Sequence, residues 1–94
     1  MRRAAKVDAN QDAIVSALRA AGATVQSLAA IGKGCPDILV GIGGQTGEAL
    51  FLMEIKVGKA KPNPMQCDWH AGWATEVHIV RSPEEALRVI GALA

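Results

Sequence analysis

Ninety-four residues, half of them hydrophobic and with no low-complexity run, fit one domain spanning 1–94 with a modest core, and leave no room for a second. A formal net charge of +1 lacks the strongly basic balance of many nucleic-acid-binding domains, so any such role rests on local patches such as Arg2, Arg3 and Lys6 or Lys56, Lys59 and Lys61. No apolar stretch reaches the ~20 residues of a membrane span, and the basic opening MRRAAK lacks a signal peptide's apolar segment, so the expected compartment is the cytoplasm and Cys35 and Cys67 are expected as free thiols.

Asp8 to Gly22 reads as a first helix, with Asp8 as cap, Gln11 at the third helical position, Ile14 and Leu18 at helical spacing and Gly22 as terminator. Ala23 to Ile31 is a weak strand. Gly32 and Gly34 break the pattern, and Pro36 to Ile42 is a better strand bounded by glycines. Gly43 to Gly47 is a hairpin turn, without the strand-to-helix context and lysine of a phosphate-binding loop, and Glu48 to Val57 is the returning arm. After a Lys59–Pro62 linker, Asn63, Pro64 and Gln66 make a cap, first-turn proline and capping-box amide for a helix expected to run to about Ala74. Val77 to Val80 is a short strand, and Ser82 opens a last helix whose apolar face is Ala86, Leu87, Val89, Ile90 and Leu93. The order αβββαβα predicts an α/β fold with a small mixed sheet flanked by helices.

The returning arm, FLMEIKV, carries Glu54 and Lys56 inside an apolar run, a costly placement unless the charges are paired or bind a metal. Strand alternation puts Glu54 and Lys56 on the face of Leu50 and Leu52, and Asp37 on that of Leu39 and Gly41. With the turn centred between Gln45 and Thr46, residue 41 opposes 50, 39 opposes 52, and Asp37 opposes Glu54. Directly opposed Cβ atoms stand roughly 4.5–5.5 Å apart, where two carboxylates repel unless a cation lies between them. Oxygen ligands with open positions suit Mg²⁺ or Mn²⁺, and Lys56 on the same face can reach a water or phosphate at the ion.

Gly34-Cys-Pro-Asp37 followed by Glu54-Ile-Lys56 resembles the PD-(D/E)xK nuclease signature, and the stretch from Asp8 to Trp73 is similar to its virus-type replication-repair (VRR-NUC) branch, related in fold to Holliday-junction resolvases. The resemblance implies a restriction-endonuclease-like αβββαβ core with an added C-terminal helix, and metal-dependent hydrolysis of phosphodiesters in DNA, branched DNA included. It implies Asp37, Glu54 and the Ile55 backbone carbonyl as ligands to Mg²⁺ or Mn²⁺, Lys56 as the group that orients or deprotonates the attacking water, and Gln66 as a further site residue. Lys33, Lys59 and Lys61 become candidate phosphate contacts, a homodimer would serve two strands, and a phage or bacterial setting with a helicase or replication partner would suit the branch. Many members carry an acid on the first helix; here Gln11 stands in that place, with Asp8 one turn earlier as the other candidate.

Each of these residues also has a plain reading. Asp37 could begin a strand and pair with Lys33 or Lys56, Glu54 and Lys56 could be an edge ion pair, Gln66 is explained by capping alone, and Lys59 and Lys61 by a solvated linker. Gly32 and Gly34 could supply turn geometry or let a DNA backbone approach Asp37. Cys67 and His70 form a C-x-x-H, but structural zinc needs a second tight pair that the chain lacks. Trp69 and Trp73, four apart, read as core packing or a dimer contact. The runner-up function is a nucleic-acid-binding module that keeps the fold without the chemistry.

Overall fold

Asn10, Ile14 and Leu18 recur every four residues, and the helix they mark puts Ile14 and Leu18 wholly out of solvent, a gain of about 1.5–3 kcal/mol for each side chain. The computed structural model describes residues 9–44 and 47–93, so the expected cap Asp8, the basic residues Arg2, Arg3 and Lys6, and the turn tip at Gln45 and Thr46 lie outside the described residues. The elements are α1 (Ala9–Ala20), β1 (Thr24–Ser27), β2 (Ile38–Ile42), β3 (Ala49–Ile55), α2 (Pro64–Ala71), β4 (Val77–Val80) and α3 (Pro83–Val89), in the order the sequence predicts. No helix among the described residues is long and apolar enough to cross a membrane.

The four strands form one mixed sheet in the order β1-β2-β3-β4, antiparallel from β1 to β3 and parallel between β3 and β4. Alternation then sorts the side chains. Ile38, Val40, Met53, Ile55 and Val80 face the layer of α1 and α3 and close the core with Ile14, Leu18 and Ala86. Leu39, Leu50 and Leu52 occupy the other face, which α2 covers only at the Glu54 end, and Leu50 is left 73% exposed. A hollow of about 500 Å³ lies on this side, lined by Leu39, Leu50, Leu52 and Trp73 among others.

Several expectations need correction: β1 ends at Ser27 rather than Ile31, and Leu93, expected on the apolar face of the last helix, lies beyond α3 and is exposed. α2 stops at Ala71, three residues before the expected Ala74: Gly72, a poor helix former, is the C-cap and makes the last i→i−4 bond, to Asp68, and the Trp73 N–H turns to His70 only three residues back. Trp69 and Trp73 stack on each other, centroids 4.6 Å apart, outside the core, and Trp73 is 49% exposed, which overturns the core-packing half of their reading and not the dimer contact. Gly34, with φ +86°, admits protein rather than ligand: a Cβ there would stand 2.8 Å from the Met65 carbonyl carbon and 3.2 Å from the Gln66 nitrogen. The loop before Asp37 is thereby pressed onto the first turn of α2. Between the glycines, Lys33 also adopts a left-handed conformation, φ 56°.

Candidate functional site

Ile38 pairs with Met53, and Asp37 N–H donates to the Met53 carbonyl at 3.1 Å, so the next positions outward on the two strands are Asp37 and Glu54. This is the opposition expected from the turn. Asp37 is fixed by a short bond, its Oδ2 accepting from Ile55 N–H at 2.6 Å. Ile55, expected to offer its carbonyl to a metal, therefore also anchors the neighbouring carboxylate through its N–H.

Glu54 is 1% exposed because α2 lies over it. Its Oε2 accepts from Gln66 Nε2 at 3.0 Å and lies 3.9 Å from Lys56 Nζ, while Oε1 faces His70 Nε2 at 3.5 Å. Burial pushes the carboxyl up to about 8, the negative charge of Asp37 pushes the same way, and Lys56 opposes. At 3.9 Å the lysine offsets only part of the burial cost, so without a cation the proton-bound form is favoured over an ion pair. Burial and then the Lys56 charge hold the His70 imidazole below its ordinary value, and burial followed by Glu54 and Asp37 raises the Cys35 thiol.

Gln66 reconciles two readings that the sequence left as rivals. Its backbone N–H donates to Asn63 Oδ1 and its Oε1 accepts from Asn63 N–H, both at 2.9 Å, which completes the capping box. The same Oε1 accepts from Lys56 Nζ at 2.8 Å while Nε2 holds Glu54. One amide thus caps a helix and spans the acid and the ammonium.

Other candidates fall elsewhere. Gln11 is half-buried and lines a hollow with Asp12, Val15, Val25, Ser27 and Ile38; Asn10, also on α1, reaches the site strand, its Nδ2 donating to the Lys56 carbonyl at 3.2 Å. Lys33, Lys59 and Lys61 are exposed, and the Lys59 linker is pinned by Arg81, whose Nη1 donates to the carbonyls of Ala60 at 2.7 Å and Gly58 at 3.4 Å. Cys67 and His70 serve different partners, the thiol donating to the Pro62 carbonyl at 3.7 Å, and both cysteines are free. Sequence reasoning missed Asn10 and His70 at the site. The signal for Asn10 was its place four residues before Ile14, and for His70 its place one turn after Gln66 on the same helix face.

Two opposed carboxyls, one carrying a buried oxygen without a hydrogen bond, are a donor set that fits a hard divalent cation. Among the described residues no group of three His, Cys, Asp or Glu side chains converges as a ready-made cage, so such an ion would keep positions for water or substrate. Comparisons with family models, curated proteins and solved structures found no match to the chain.

Proposed function

We propose that the protein is a Mg²⁺- or Mn²⁺-dependent DNA endonuclease with a restriction-endonuclease-like fold, acting as a homodimer so that each strand of a duplex or branched substrate meets its own site. The observation that carries this reading is the meeting of Asp37 and Glu54 on facing strands with the Lys56 ammonium beside them. The carboxyls have reason to be adjacent only if something positive joins them, since their repulsion and burial otherwise force a proton onto the pair.

When bound there, the ion supplies Lewis-acid polarisation of the phosphate and a water of lowered pKa. The chain's own residues do the rest. Ile55 N–H fixes Asp37, Gln66 fixes Glu54, and both carboxylates orient what the ion holds. Gln66 Oε1 keeps Lys56 Nζ directed into the site, where its remaining N–H groups can orient the attacking water and stabilise charge developing on the phosphate oxygens. Exposed Lys33, Lys59 and Lys61 would add contacts to the DNA backbone.

The test is nicking of supercoiled plasmid and of a four-way junction with Mg²⁺ or Mn²⁺, by wild type, Asp37→Ala and Lys56→Ala. Metal-dependent cleavage that falls at least about 10²-fold in both variants is expected; cleavage indifferent to both substitutions, or none at all, would defeat the proposal. One observation favours a second reading, DNA binding without cleavage: α1 brings the amide Asn10 towards the site strand, and no third acid joins Asp37 and Glu54 among the described residues. Salt-sensitive retention on DNA with no metal-dependent nicking would select it.

A further inference from the structure

Glu54 Oε1 and His70 Nε2 are both sealed from solvent, and neither makes a hydrogen bond. They face each other at 3.5 Å. An N–H···O bond usually spans roughly 2.7–3.2 Å, so the gap is long for a direct bond, and it is too narrow for an intervening water. Two ligand atoms about 2.1 Å from a shared cation stand roughly 3.0 Å apart at a right angle and roughly 3.4 Å apart at a tetrahedral one. The observed separation is close to the second spacing, which suits four-coordinate Zn²⁺ better than six-coordinate Mg²⁺. Leaving two buried polar atoms unpaired costs about 1–3 kcal/mol for each, and a cation between them would remove both deficits.

α2 brings the imidazole there for a simple reason. Residues 66 and 70 lie one turn apart on one helix face, so Gln66 meets Oε2 of the glutamate and His70 meets Oε1. The other histidine is engaged elsewhere, His78 lying against Glu76 and the Phe51 ring.

We propose that His70 Nε2 is a nitrogen ligand to a divalent cation held on Glu54 Oε1. This rests on the metal-centre reading above and gives Glu54 a neighbouring ligand, without making a three-residue cage with Asp37 among the described residues. Mg²⁺ is satisfied by oxygen alone, whereas imidazole favours Mn²⁺ and, more strongly, Zn²⁺, so His70 tilts the site away from Mg²⁺.

The test uses MnCl₂ alone, added to the intact protein, with pulsed electron paramagnetic resonance reading nitrogen coupled to the bound ion. The expected result is a nitrogen coupling that changes isotope when the protein is grown with ¹⁵N-histidine, persists in His78→Gln and disappears in His70→Gln. Titration should show His70→Gln weakening Mn²⁺ binding by about tenfold or more while Mg²⁺ binding moves less. Mn²⁺ binding that Glu54→Gln abolishes, but without histidine nitrogen coupling in the wild type, overturns the assignment of His70 and leaves the carboxylate centre standing. Absence of Mn²⁺ binding overturns both. The labelled wild-type spectrum decides the matter even if a His70 variant fails to fold.

Discussion

Glu54 shares a strand face with Leu50 and Leu52, yet its carboxyl meets Asp37, Lys56, Gln66 and His70. Its pKa, raised from 4.5 to about 8, ties folding to pH. As pH climbs from 4.5, the unfolded chain releases the proton while the folded chain keeps it. The contribution to stability is therefore complete below pH 4.5 and is lost progressively up to about pH 8. His70 works in the opposite sense: its lowered pKa gives stability that is complete above 6.5 and falls as acid is added below that value. Urea denaturation of chelator-treated protein should show the Glu54 slope, and Glu54→Gln should remove it while leaving the His70 limb at low pH. Divalent cation should restore most stability at the alkaline end, where it replaces the lost proton; a cation effect equal at all pH values would contradict this account.

At the scale of the element, α2 joins helix chemistry to site chemistry. Gln66→Glu tests that junction, because glutamate can still complete a capping box while losing the N–H that Glu54 accepts. Helix content by circular dichroism should hold, and cleavage should fall about 10²-fold through misplacement of Glu54 and Lys56; unchanged cleavage would return Gln66 to a capping role. Much of this element was legible in the chain. Asn63, Pro64 and Gln66 announced its start, because capping residues act locally and leave a local pattern. The end was misjudged because Trp73 and Ala74 suit a helix by type, while Gly72, a poor helix former, already caps it. The facing of Asp37 and Glu54 followed from strand parity and one turn, both local. His70 and Asn10 escaped because their partners are 16 and 46 residues away in sequence, a separation that only tertiary packing closes.

For the whole molecule, the two faces of the sheet are unequal. One is closed by α1 and α3 over Ile14, Leu18, Val40 and Met53; the other is closed by α2 at one end and bare at Leu50. Met53→Ala should cost about 2–5 kcal/mol in urea unfolding, whereas Leu50→Lys should change stability by less than about 0.5 kcal/mol. A larger Leu50→Lys loss that grows with protein concentration would mean that a second copy covers this face. The close seat of Gly34 on Met65 and Gln66 has a further outcome for the chain as it is made. Glu54 and Lys56 leave the ribosome before the helix that covers them, and their side chains gain Gln66 as a common partner only when that late segment seats against the glycine. A nascent or clipped polypeptide ending before residue 66 lacks the amide that joins Glu54 to Lys56, whatever acids it already displays.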